Sequence, residues 1–164
     1  MKRLLATCDP DWIPTLVFQA FCGLRPEEVC PEKDTGKQGI QWEDVLWDKG
    51  KVNVPASASK VRRRRFAALT EAAMAFLLPH KGASGPVVGK RRFWHYLADW
   101  KKRDGIVWKP DGLRHSFASY RLAVTKDVQA LALEMGNSAA MIFKHYLDLK
   151  HEDEGKEWFA IRPV

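Results

Sequence analysis

The sequence predicts a mainly α-helical domain that carries a small three-stranded antiparallel sheet, an α+β arrangement. Three observations lead there. From Thr70 onward, apolar residues recur at helical spacing in segments bounded by capping residues and glycines. Between residues 40 and 69, three short runs rich in β-branched and aromatic residues are separated by turn signals. At 164 residues, with no internal repeat and no long linker, the chain has the length of one domain and can bury a real core.

Taken in order, Asp9 or Asp11 caps a first helix through "WIPTLVFQAF", which stops at Cys22-Gly23, where glycine suits a C-terminal cap. "GLRPEEV" reads as a turn entering a short helix, and "PEKDTGKQG" as a polar, turn-rich connection. "IQWEDVLW", "KVNVP" and "RRRFAAL" are the three strands, with Asp48-Lys49-Gly50 at the first turn and "PASASK" at the second. Thr70 caps "EAAMAFLL", which ends at Pro79. After the loop "KGASGPVVG", the segment "KRRFWHYLADWKKRDG" is an amphipathic helix closed by Gly105. Asp111 stands at the N-cap of "DGLRHSFASYRLA", and Thr125 caps "KDVQALALEM", which Gly136 ends. Asn137 or Ser138 then caps "AAMIFKHYLDL", where helical spacing puts Ile142, Phe143, Tyr146 and Leu149 on one face. The charged tail "HEDEGKEWFAIRPV" has room for one more helix.

Composition narrows the function classes. The apolar fraction is 46% and the charged fraction 29%, and no apolar run approaches the ~20 residues that span a bilayer. The N-terminus turns polar too soon for a signal peptide. Cys8, Cys22 and Cys30 form no CxxC pair, which favours reduced thiols, a cytoplasmic location and no zinc site. The net charge of +7 is unevenly spread: "KVRRRR" at 60–65 holds five cations in six positions, and "KRR" at 90–92 and "KKR" at 101–103 add triplets. A solvated basic face accounts for either triplet alone. Charges as dense as those of "KVRRRR" repel one another unless an anion neutralises them, as a phosphate backbone does.

Two arginines sit in similar surroundings: Arg25 after Gly23-Leu24, and Arg114 after Gly112-Leu113. A guanidinium grips a phosphate through two parallel hydrogen bonds at every relevant pH, although a surface ion pair accounts for either arginine alone. The order Arg25, Lys60 at a β-turn, Arg114, Tyr146 resembles the catalytic domain of the tyrosine recombinases (phage integrases). "FCGLRPEEV" is similar to that family's first arginine motif. The stretch "IQWEDVLWDKGKVNVPASASKVRRRR" resembles its three-stranded sheet with a lysine on the β2–β3 turn. "LRHSFASY" resembles the second arginine motif and "MGNSAAMIFKHY" the closing tyrosine motif, with gaps of 23 from Arg114 to Asn137 and 9 from Asn137 to Tyr146.

The resemblance implies a role for each position. Tyr146 attacks a DNA phosphate to form a 3′-phosphotyrosyl bond. Arg25 and Arg114 hold the non-bridging oxygens, and Lys60 protonates the departing 5′-oxygen. Arg62, Arg63, Arg64, Lys90, Arg91, Arg92 and His115 support DNA binding. No metal and no cofactor are needed. The chain departs from the pattern at two positions, where Asp111 replaces a usual histidine and Asn137 a usual histidine or tryptophan. Asp111 is read chiefly as a helix cap, and Asn137 keeps a hydrogen-bond donor for a phosphate or is itself only a cap.

The resemblance further implies a prokaryotic or phage-borne mobile element. It also implies double-stranded DNA as partner and a tetramer on DNA in a full-length protein. Residues 1–164 would form a single catalytic domain lacking the N-terminal DNA-clamping domain, monomeric when isolated. The apolar tail residues Trp158, Phe159 and Ile161 either exchange between subunits or pack on their own domain. Three readings compete with recombination: a DNA-binding module of the same fold that does not cut, a type IB topoisomerase-like enzyme, and a helical protein whose basic surface binds RNA or an acidic protein.

Overall fold

The structure, a computed structural model, describes residues 1–30, 38–59, 62–88, 93–146 and 150–163. Lys60, Lys90, Arg91, Arg92 and Leu149 lie outside the described residues, as does most of the polar connection after Cys30.

The helices are α1 (Lys2–Thr7), α2 (Ile13–Cys22), α3 (Pro26–Val29), α4 (Glu71–Leu77), α5 (Phe93–Asp104), α6 (Gly112–Thr125), α7 (Val128–Met135), α8 (Ala139–Tyr146) and α9 (Glu152–Phe159). Between α3 and α4 lie β1 (Val45–Leu46), β2 (Lys51–Val54) and β3 (Arg65–Ala68), an antiparallel sheet of order β1-β2-β3. Among the described residues no helix is long and apolar enough to cross a membrane.

The centre of the fold is α2, apolar on almost every side and buried from Pro14 to Cys22, as expected of a helix enclosed by its neighbours. It packs against α4 on one flank and α6 on the other. Gly23 ends it in the left-handed conformation, φ 67°, and the phenyl ring of Phe117 on α6 fills the space where a side chain would project. A Cβ there would fall 2.4 Å from Phe117 Cδ1. Gly23→Ala therefore combines a strained backbone with overpacking, and urea unfolding should show a loss of about 2–3 kcal/mol.

In the sheet, the pairing Val52↔Ala67 and Val54↔Arg65 sets four side chains toward the core, while Asn53↔Phe66 points outward. Arg65 thus occupies a core-facing position of β3, although the sequence groups it with the basic run. The first strand is shorter than expected. Trp42–Asp44 coils into a 3₁₀ turn, because Asp44 accepts hydrogen bonds from the Gln41 backbone N–H (2.9 Å) and from Asn53 Nδ2 (2.6 Å).

Several caps fall where the sequence puts them. Thr70 Oγ1 accepts from Ala73 N–H at 3.3 Å, Gly105 and Gly136 are left-handed, and Ser138 Oγ accepts from Met141 N–H at 3.2 Å. Others need correction. Asp9 starts a 3₁₀ turn (Pro10–Trp12) without a side-chain cap, and α2 begins behind Trp12 at the Ile13-Pro14 pair. The cap of α7 is Asp127, whose Oδ1 accepts from Ala130 N–H at 2.8 Å; Thr125 is instead the last residue of α6. Asp111 holds the N-cap position of α6, but its backbone is left-handed (φ 54°) and its carboxylate makes no capping bond. A short polar side chain makes that conformation tolerable.

The tail packs on its own domain. Within α9, Trp158 stacks on Tyr120 of α6 with ring centres 4.5 Å apart and donates from Nε1 to Ala20 O at 3.0 Å, and Phe159 meets Phe117 edge-on. Met1 to Thr7, not assigned by the sequence, form α1, whose Thr7 accepts from Trp100 Nε1 of α5.

Candidate active site

The site forms where the start of α3, the first turn of α6, the α7–α8 turn and the end of α8 converge. The placement of each contributed side chain follows from its local structure. Arg25 sits at the N-cap of α3, and Pro26 supplies a preset φ at the next position. Glu28, at the third helical position, reaches back to accept from Arg25 N–H at 2.7 Å and from its guanidinium at 3.2 Å. Its carboxylate is fully buried and also receives both arms of Arg65, at 2.7 and 2.6 Å. Arg65 in turn donates from Nε to Glu134 O at 3.0 Å. The pair ties the sheet to α3 and to the end of α7.

Arg114 is only 5% exposed on the first turn of α6. It donates to Gly23 O and, at 2.7 Å, to Met135 O, so backbone carbonyls at two helix ends fix its orientation. The oxygen of Asn137 lies between Arg25 and Arg114, 3.0 Å from Arg25 Nη2 and 3.4 Å from Arg114 Nη2. The helix after Asn137 is capped by Ser138, which leaves the Asn137 side chain for this contact.

Tyr146 ends α8. Its ring packs with Ile142 in a cluster that includes Phe117, Leu131 and Met135, and the residue is 6% exposed. Phe143 does not share that burial: it is 59% exposed, and the buried pair on this helix is Ile142 and Tyr146, four apart. The Tyr146 hydroxyl is 2.5 Å from His115 Nδ1.

Three guanidinium groups, Arg25, Arg65 and Arg114, thus gather round one carboxylate, leaving a surplus of positive charge where water is largely excluded. Burial lowers the Arg114 pKa to about 10, and repulsion from Arg25 and Arg65 adds to this, with Glu28 and Tyr146 opposing. It remains charged at neutral pH. Burial raises the Tyr146 phenol above its ordinary 10, with Asp111 pushing the same way and Arg114 and Arg25 pulling it down. Tyr146 therefore keeps its proton at neutral pH until something accepts it.

The structure brings Arg25, Arg114, Asn137, Tyr146 and His115 together, with the exposed Asp111 close enough for its charge to act on Tyr146. Arg62, Arg63 and Arg64 are exposed beside β3, and Arg64 lies over the Phe66 ring at 4.9 Å. Sequence reasoning missed Arg65 and Glu28. Two signals could have found them: the period-2 alternation of "RFAA", and the acidic residue three positions after an N-cap. No cluster of three or more His, Cys, Asp or Glu suited to a metal ion occurs among the described residues.

No protein-family model matches the chain, and neither does any curated protein. Among solved structures it is similar to the crystal structure of XerA recombinase, with a TM-score of 0.66 and 21% identity. The match covers 99% of this chain and 63% of that one, so the chain spans less than two thirds of that recombinase's length. The shared fold is that of a tyrosine recombinase, mainly helical with a small three-stranded antiparallel sheet.

Proposed function

We propose that this domain cleaves and rejoins a DNA strand through a 3′-phosphotyrosyl intermediate, as the catalytic part of a site-specific recombinase or integrase. One observation carries the reading: a buried tyrosine hydroxyl stands in the field of two arginines whose donors meet on a single neutral oxygen, that of Asn137. That meeting point suits a non-bridging phosphate oxygen, which would displace the amide and gain two charge-assisted bonds. Tyr146 supplies the nucleophile, Arg25 and Arg114 offset charge in the transition state, and Lys60 protonates the 5′-oxygen. Asn137, once displaced, turns its amide N–H toward the phosphate.

Arg62, Arg63 and Arg64, with Lys90, Arg91 and Arg92, hold the DNA backbone, and double-stranded DNA is the partner. In a longer protein the domain acts within a tetramer on two duplexes.

A second reading, a DNA-binding module of the same fold that no longer cuts, is favoured by Asp111. Its carboxylate adds negative charge near Tyr146 and would repel an incoming phosphate. Trapping decides between them. Incubated with nicked suicide duplexes, the wild type should form a covalent protein–DNA adduct that Tyr146→Phe abolishes. Duplex binding without any adduct would leave only the second reading. Relaxation of supercoiled DNA at no preferred site would point instead to a type IB topoisomerase-like activity.

A further inference from the structure

Arg25, Arg114 and Asn137 account for the phosphate, but not for the proton that Tyr146 must lose. Among the described residues, one side chain is hydrogen-bonded to the Tyr146 hydroxyl: His115, through Nδ1, at 2.5 Å. The two rings are tilted by 38° with centres 5.5 Å apart, so they meet through their polar atoms rather than by stacking. The phenol keeps its proton at neutral pH, so it is the donor in this bond. Nδ1 is then the acceptor, and the ring proton sits on Nε2.

The surroundings suit a proton acceptor. His115 is exposed, and its ring can exchange protons with solvent after each turnover. Asp111 lies four positions earlier, at the N-cap of α6 and also exposed, where its carboxylate adds negative charge near Tyr146. Against it stand the cations Arg114 on α6 and Arg25 before α3, both of which act on Tyr146. His145 on α8 presents its ring to Tyr146 edge-on at 6.3 Å between centres. The left-handed backbone of Asp111 sets where α6 starts, and with it the height of His115 along the helix.

We infer that His115 is the catalytic base of the strand-cleavage reaction proposed above, on which this inference rests, and that Asp111 positions its charge. In cleavage the Tyr146 O–H bond breaks and its proton passes to His115 Nδ1, while the phenolic oxygen forms a bond to phosphorus. The P–O5′ bond breaks with its electron pair on O5′, which takes a proton from Lys60. In rejoining, the 5′-hydroxyl gives its proton back to Lys60 as its oxygen attacks phosphorus, and the phenolic oxygen leaves with its pair and takes the proton from the His115 imidazolium. The departure from the family pattern at Asp111 then makes chemical sense. The imidazole acts from one turn further along α6, and the carboxylate steadies it.

The test uses a pool of nicked suicide duplexes with randomised arms, at saturating concentration, and follows the adduct rate against pH. Wild type should show an acid limb, where protonation of an imidazole removes the acceptor. His115→Gln should slow the rate by about 10²- to 10⁴-fold and lose that limb, and added imidazole should restore part of the rate of His115→Ala. A second readout needs no DNA. With tyrosine labelled at Cζ, the Tyr146 carbon resonance should move in His115→Gln at neutral pH, while those of Tyr96 and Tyr120, the other two tyrosines, hold still. A wild-type adduct rate and pH profile retained in His115→Gln would overturn the role of His115 and leave strand cleavage standing. No adduct from the wild type would overturn strand cleavage, and the base with it.

Discussion

Glu28→Gln will unfold at a markedly lower urea concentration than the wild type, with a loss of about 3–5 kcal/mol at neutral pH. The carboxylate is fully buried and receives four hydrogen bonds: two from Arg65, one from the Arg25 backbone and one from the Arg25 guanidinium. An amide of the same shape can satisfy only part of that set, and it leaves Arg65 and Arg114 charged and buried without a counter-ion. Replacing a whole buried ion pair by apolar residues is often harmless; removing one partner is not.

The same residue sets an acid limit on stability. Burial pushes the Glu28 carboxyl up from 4.5, but the twin bonds and charge of Arg65, the Arg25 N–H and the charge of Arg114 together hold it lower. A depressed folded value means its contribution is complete above about pH 4.5 and is lost as the pH falls through the folded value. Glu28→Gln should lack this part of the acid slope. An unchanged slope, measured by urea unfolding across that range, would remove Glu28 from the centre of the fold.

The elements legible in the sequence are those whose local chemistry and tertiary role agree. The apolar run of α2 could only be a buried helix, and Gly23 could only end it left-handed against a neighbour. Thr70 and Ser138 cap because nothing else competes for their hydroxyls at those ends, apart from Phe21 O, which Thr70 reaches as a donor. Where the two levels disagree, reading fails. Arg65 is charged and follows three arginines, yet β-pairing turns it inward, where a buried carboxylate awaits it. Thr125 and Asp127 are both good caps two residues apart. α6 runs two residues beyond Ala123 to Thr125, and Lys126, left-handed at φ 55°, ends it there and leaves the capping of α7 to Asp127. Phe143 is apolar at helical spacing but faces out, while the (i, i+4) pair Ile142 and Tyr146 turns inward. For the candidate site, motif order named Arg25, Arg114, Asn137 and Tyr146, which the fold brings together. The carboxylate that holds Arg25 stands in the same motif three residues on, but its burial against Arg65 and the imidazole contact on Tyr146 are set by packing between distant segments.

Asn137→Asp should move stability and activity in opposite directions. The Asn137 oxygen accepts from Arg25 at 3.0 Å and Arg114 at 3.4 Å, and both bonds would become charge-assisted with a carboxylate in its place. The free protein should gain about 1–2 kcal/mol, since the surplus positive charge around Glu28 would be partly neutralised. A phosphate would then meet a resident anion that cannot turn a donor toward it. Two like charges about 4 Å apart repel by about 4 kcal/mol at the effective dielectric of such a site, and the adduct rate should fall by about 10³-fold. Asn137→Ala should show no such gain: the two arginines lose a shared acceptor, and stability drops by about 1 kcal/mol while the anion position stays open. Urea midpoints and adduct rates on the same three proteins decide it. If Asn137→Asp cleaves as fast as the wild type, the phosphate does not sit between Arg25 and Arg114, and the place of Tyr146 in the chemistry must be sought from another side.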